Sequence, residues 1–276
     1  MKGFLEKLRE EWVKKGSLFC FGMDPVVERM KINPSSELSE EIYRYFSRIL
    51  HAILEKVSAV KPNAGFYLQY GQAGLSALLR LVRFSRSLGL PVIIDGKIGD
   101  IGNTSKAYAR FVFDLLEGDG ITLNPYMGYD ALAPFFSYGD KGFYILALTS
   151  NEGARDFQYR ALSTGMTLYD CVIQEICAWN RVHPSVGAVI GATHREFREC
   201  IEKIKAERCT LPLLVPGVGA QGGSYRQIER ELEDIGYDRE IVRINASSSI
   251  SYAHEIYTGL SVEEASFRAM EDLLET

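Results

Sequence analysis

Residues 91–125 read "PVIIDGKIGDIGNTSKAYARFVFDLLEGDGITLNP". The run "PVIIDGK" (91–97) opens on consecutive apolar residues and ends in charge, and "GITLNP" (120–125) does much the same with Asn124. Between them, residues 103–117 carry apolar side chains at helical spacing. A strand that is continuously apolar is covered on both faces, as parallel strands are. Two parallel strands need a crossover between them, and a helix supplies it. The stretch therefore predicts one strand–helix–strand unit whose polar residues gather at the strand ends.

The same unit recurs along the chain. Further strands are expected at "SLFCFGM" (17–23), "VSAVKPN" (57–63), "GFYILALTS" (142–150), "VGAVIGAT" (186–193), "PLLVPGVG" (212–219) and "IVRINASS" (241–248). Helical periodicity fills 39–56, 69–88, 128–137, 165–181, 194–206, 224–235 and 249–273, the last with a break near Gly259. Eight alternations predict an α/β fold of the closed (β/α)8 TIM-barrel type, with an open doubly wound sheet as the competing arrangement. A barrel of this kind takes about 250 residues, so the 276 residues are expected to form one domain, 1–276. The amphipathic start, about residues 2–15, adds an N-terminal helix whose expected place is the barrel bottom. Residues 24–38 and 151–164 read as loops over one mouth.

Composition narrows the function classes. A net charge of −5 argues against a general nucleic-acid surface. No apolar run reaches the ~20 residues of a membrane span. The N-terminus lacks the apolar core and cleavage site of a signal peptide. Five cysteines (Cys20, Cys171, Cys177, Cys200 and Cys209) form no C-x-x-C pair and read as reduced thiols. A cytoplasmic protein with a small-molecule substrate is the expectation.

In a barrel the chemistry sits where the strands end. Those ends carry Asp24, Lys61 and Asn63, Asp95 and Lys97, Asn124, Thr149 and Ser150, and Thr193. Strand alternation puts Asp95 and Lys97 on one side of the third strand, facing Lys61 on its neighbour. Asp100 follows Gly99 after a turn. Opposite charges keep one another ionised even when partly buried, and spacing alone fits a structural ion-pair network as well as a reaction centre. "PGVGAQGGS" (216–224) is a glycine-rich turn after the seventh strand, a place where barrels often bind phosphate through backbone N–H groups. His51, His183, His194 and His254 are scattered, so neither a metal site nor a Ser-His-Asp triad is indicated. No G-x-G-x-x-G follows the first strand, so no dinucleotide site is indicated.

From about residue 18 to its end the chain resembles the orotidine 5′-phosphate decarboxylase family, in its longer bacterial-type subgroup. The resemblance is carried by "FGMDP", "VKPNAGFYLQYG", "IDGKIGDIGNTSKAYA", "ITLNPYMGYDAL", "LALTSNEG", "LLVPGVGAQGG" and "INASSSI", in that order. It implies a cofactor-free conversion of orotidine 5′-phosphate to UMP and CO2 in pyrimidine biosynthesis. It implies that Lys61, Asp95, Lys97 and Asp100 form a charged tetrad, with Lys97 donating a proton to C6. It implies a homodimer in which Asp100 and Thr104 serve the partner's site. Asp24 and Lys61 would hold ribose hydroxyls, and Ser150 would read the pyrimidine. Gln221 and backbone N–H groups at Gly222 would hold phosphate. One departure stands out: "INASSSI" has Ser248 where the family pattern has an arginine that grips the phosphate. Two other readings compete, a sugar-phosphate decarboxylase or lyase of the same barrel superfamily and a paralogue that binds a nucleotide weakly.

Overall fold

The computed structural model describes residues 2–32, 37–192, 196–219 and 222–276. The described residues form eight strands: β1 (Phe19–Met23), β2 (Ala59–Pro62), β3 (Ile93–Ile98), β4 (Gly120–Leu123), β5 (Gly142–Leu148), β6 (Val186–Ile190), β7 (Leu213–Pro216) and β8 (Val242–Ala246). They run parallel in the order β2-β1-β8-β7-β6-β5-β4-β3. Parallel bridges Val60–Val92 and Asn63–Asp95 join the two remaining edges, so the barrel closes. Eight parallel strands in a ring leave no open edge, which settles the choice against an open sheet.

The helices are α1 (Phe4–Lys15), α2 (Leu38–Ile53), α3 (Ala64–Leu68), α4 (Gly71–Ser87), α5 (Gly102–Arg110), α6 (Tyr129–Phe136), α7 (Ala154–Phe157), α8 (Leu168–Val182), α9 (Phe197–Ala206), α10 (Tyr225–Ile235), α11 (Ser248–Ser251) and α12 (Val262–Glu275). A π-helical turn, Phe111–Leu115, continues α5. Local chemistry fixes several ends. The Asn63 side chain accepts the Gly65 N–H and starts α3 two residues after β2 ends. Thr167 with Asp170, and Ser261 with Glu264, form reciprocal capping boxes on α8 and α12. The expected final helix is divided by residues 252–261 rather than by Gly259 alone, because the capping box at Ser261 starts α12 afresh. Within the expected loop 151–164 lies the short α7.

The observed strands are shorter than the apolar runs, for identifiable reasons. β5 stops at Leu148 because the Thr149 N–H is taken by the Gln158 side chain (2.8 Å) rather than by a neighbouring strand. β8 stops at Ala246 because the next residues turn into α11.

Two apolar layers follow from the two strand faces. The outer layer packs strands on the helix ring. The inner layer fills the barrel with Cys20, Ala59, Ile93, Tyr144, Val189 and Leu214, joined by Phe4 and Leu8 of α1. Thus α1 plugs the barrel bottom. Phe4 sits edge-on to Tyr144 (5.8 Å, 81°). Gly142 makes room for it, since a Cβ there would lie 2.1 Å from the Phe4 ring. Arg243, fully buried on β8, ties the plug down: its guanidinium donates to the carbonyls of Leu8, Ser58 (3.3 Å), Glu240 (3.0 Å) and Val242 (2.7 Å). With the bottom sealed, the open end is the end where the strands finish.

Candidate active site

A cavity of about 580 Å³ opens at that end. This volume lies within the usual range for small-molecule sites. Its floor combines the apolar side chains of Leu146, Val189 and Leu214 with the charged groups of β2 and β3.

Asp95 is the centre of the charged group. It is 5% exposed. One carboxylate oxygen accepts from the Lys61 Nζ (2.7 Å), and the other from the Lys97 Nζ (2.7 Å) and the Thr122 hydroxyl (2.8 Å). Burial alone would push the Asp95 carboxyl upward; the two ammonium groups outweigh it and hold Asp95 well below the ordinary carboxylate range. Burial alone would lower Lys61, yet Asp95 and then Asp24 outweigh it and raise its pKa. All of Lys61 is enclosed, whereas the Lys97 side chain is half exposed to the cavity.

The route by which Lys97 reaches Asp95 differs from simple alternation. Ile94 pairs with Ile121 and Ile98 with Leu123, so three residues of β3 stand opposite the single residue Thr122 of β4. Lys97 lies in this bulge with φ +46°, a left-handed backbone that L residues rarely adopt. The Thr122 oxygen accepts both freed N–H groups, from Gly96 (3.1 Å) and Lys97 (2.9 Å). The expected convergence occurs, but a bulge rather than a regular strand produces it.

Asp24, after β1, lines the same cavity. Its carboxylate accepts the Ser247 hydroxyl (2.6 Å) and the Asn63 N–H (3.1 Å). Gly22 permits the close approach of Ser247, since a Cβ there would lie 2.6 Å from the Ser247 Cβ. The Asp24 carbonyl accepts the Tyr252 hydroxyl (2.7 Å), which in turn accepts the Val26 N–H (2.7 Å). Ser150, Gly217, Val218 and Ser248 also line the cavity.

Not all of the expected residues gather here. Asp100 and Thr104 do not line this cavity. The Asp100 side chain accepts its neighbour's N–H, from Ile101 (2.8 Å), and Thr104 is exposed on α5. Gly222 also stands outside the cavity wall, and its N–H is committed to the Gly219 carbonyl (2.8 Å). Gln221, like Thr193 and His194, lies outside the described residues. Among the described residues, no group of three or more His, Cys, Asp or Glu is arranged to hold a metal ion.

Two cavity residues, Thr122 and Gln158, carry no sequence expectation. Thr122 sits inside an apolar run, and its only signal is that a lone hydroxyl interrupts it. Gln158 orders the rim by bonding Thr149 through both ends of its amide (2.8 and 2.7 Å). Asn245, on β8, lines the floor and donates to the Cys20 carbonyl (2.9 Å).

Residues 18–255 match the model of the orotidine 5'-phosphate decarboxylase / HUMPS family. The chain belongs to this family. It is 40% identical over 238 residues to an orotidine 5'-phosphate decarboxylase of Roseiflexus sp. (strain RS-1), covering 86% of this chain and 84% of that protein. It is 40% identical over 255 residues to the one from Dehalococcoides mccartyi (strain CBDB1), covering 91% and 89%. Enzymes so named are carboxy-lyases. Among solved structures, Leishmania donovani OMP decarboxylase superposes with a TM-score of 0.77 at 29% identity, covering 98% of this chain and 97% of that one.

Proposed function

We propose that the protein decarboxylates orotidine 5′-phosphate to UMP without a cofactor. The observation that carries this reading is the Asp95 carboxylate held between Lys61 and Lys97 on the cavity floor. In the reaction the bond from C6 to the carboxylate breaks and CO2 leaves. The electron pair stays on C6, in the plane of the ring, where the ring cannot delocalise it well. Stabilisation must then come from preorganised charge. The Lys97 ammonium supplies it, transfers a proton to C6, and is reprotonated from solvent. Asp95 keeps that ammonium charged and aimed. Lys61 and Asp24 hold the ribose hydroxyls, and Ser150 reads the pyrimidine edge. The phosphate lies against Gly217, Val218 and Ser248.

The reading includes a homodimer. Asp100 and Thr104 lie away from the cavity of their own chain, on a face with exposed Ile101, Tyr108, Tyr126, Met127 and Tyr129. Exposed apolar surface of this kind favours a protein partner. A second copy that covers this face brings its Asp100 toward Lys97 and its Thr104 toward the ribose.

The test follows the loss of orotidine 5′-phosphate absorbance with and without chelator, in wild type and Lys97→Ala. Chelator-insensitive turnover that Lys97→Ala abolishes is expected. Turnover that requires a divalent metal, or that survives in Lys97→Ala, contradicts the reading.

A further inference from the structure

Thr122 stands where the two unusual features of the site meet. It is 1% exposed, in the middle of β4, between Ile121 and Leu123. A valine would fill the same space in such a strand. The hydroxyl therefore needs an explanation, and its contacts provide one. A hydroxyl has one proton and two lone pairs. Here the proton goes to the Asp95 carboxylate (2.8 Å). The oxygen accepts the Gly96 N–H (3.1 Å) and the Lys97 N–H (2.9 Å). Its capacity is used completely.

Those two N–H groups are the ones that the β3 bulge takes away from the strand ladder. Gly96 and Lys97 are themselves exposed, but both N–H groups are aimed at the buried Thr122 oxygen, and in that geometry loss of the acceptor disfavours the conformation. The bulge also holds Lys97 at φ +46°. Without an acceptor opposite it, β3 gains by returning toward regular pairing. That return moves the Lys97 backbone and breaks the 2.7 Å contact between its ammonium and Asp95. One oxygen thus links the lysine's backbone to the carboxylate that its side chain meets.

We propose that Thr122 is a positioning residue for the reaction: its hydroxyl fixes the left-handed bulge at Lys97 and the orientation of Asp95 together. This rests on the decarboxylase reading above. Thr122 acts through Lys97 and Asp95 rather than by touching substrate. Displacement of a reacting group by about 1 Å can cost ~100-fold in rate. The effect belongs in kcat, because the ribose and phosphate contacts lie on other strands.

The experiment compares wild type, Thr122→Val, Thr122→Ser and Thr122→Ala in orotidine 5′-phosphate turnover, with UMP affinity by calorimetry and thermal melting on the same samples. Thr122→Val keeps the shape and removes the hydroxyl. Its kcat is expected to fall roughly 10- to 100-fold, with KM and UMP affinity within about threefold of wild type. Thr122→Ser, which keeps the hydroxyl, is expected to restore kcat to within about threefold. If Thr122→Val does not fold, Thr122→Ala must show the same split. An unchanged kcat in the variants without a hydroxyl overturns the inference. So does a loss that Thr122→Ser fails to restore, or a fall in UMP affinity as large as the fall in kcat. A wild type that releases no CO2 overturns the functional reading and the inference with it. An active wild type with an equally active Thr122→Val overturns the inference alone.

Discussion

Asp95 shares its two oxygens among Lys61, Lys97 and Thr122, and this sharing sets how the site responds to pH. The Asp95 pKa is depressed, so its contribution to stability is present above the ordinary carboxylate range and is lost only as pH falls through the lower folded value. The Lys61 pKa is raised, so its contribution is present below the ordinary lysine range and is lost only as pH rises through the higher folded value. Between about pH 5 and 9 neither group changes charge in either state. Asp95→Asn leaves Lys61 buried without its main counter-charge, which lowers its folded pKa and lets the variant gain stability as pH rises. The advantage of wild type over Asp95→Asn, from urea unfolding, should therefore be largest near pH 5 and shrink toward about pH 9; an advantage that grows with pH would contradict the ion-pair account. Ser248 lines the same cavity as Gly217 and Val218 and offers it a hydroxyl. An arginine there would add a charge-assisted, bidentate contact worth about 1.5–3 kcal/mol. Ser248→Arg should lower the KM for orotidine 5′-phosphate roughly 10- to 100-fold with little change in kcat. An unchanged KM in steady-state kinetics would mean that this position does not face the phosphate. The charged residues were legible because charge at the end of an apolar run is conspicuous. Thr122 was not, since a threonine in a strand has ordinary β propensity and its meaning depends on which residues lie opposite.

At the scale of elements, the strands could be read because parallel barrel strands are apolar on both faces and short. Their ends could not be read as well. Side-chain acceptors such as Gln158 at Thr149 compete with strand pairing, and such a contact joins residues nine apart through a loop. The β3 bulge was equally hidden, because Gly96 announces freedom without saying how the chain uses it. The N-terminal helix illustrates the opposite case. Its amphipathic pattern implied packing, and α1 seats Phe4 on Gly142 and Tyr144 inside the barrel bottom. Removing that ring leaves a cavity in a sealed core. Phe4→Ala should destabilise the protein by about 3–5 kcal/mol in denaturant unfolding. Because the plug lies at the end of the barrel opposite the Asp95 cluster, kcat at low temperature should stay near that of wild type. A loss below ~1 kcal/mol would show that α1 is dispensable to the barrel.

For the whole molecule, the ring of eight strands gathers the ends of β1, β2, β3 and β8 around one cavity, yet leaves Asp100 and Thr104 outside it. Sequence spacing placed Asp100 three residues from Lys97, which suggested one cluster within one chain. The turn at Gly99 and the start of α5 at Gly102 carry Asp100 past the rim, and its carboxylate caps its own neighbour. If a two-fold dimer supplies Asp100 to the opposite site, each site takes Lys97 from one chain and Asp100 from the other. Lys97→Ala and Asp100→Ala dimers are then each inactive in both sites. Mixing equal amounts under conditions that exchange subunits makes about half the dimers hybrid. In each hybrid one site receives both defects and the other receives none. Activity should recover to about a quarter of the wild-type value. Were Asp100 to act within its own chain, both sites of the hybrid would be defective and the mixture would stay inactive. The measurement therefore separates the two arrangements by the presence or absence of recovery, provided size-exclusion chromatography with differently tagged subunits confirms that hybrids have formed.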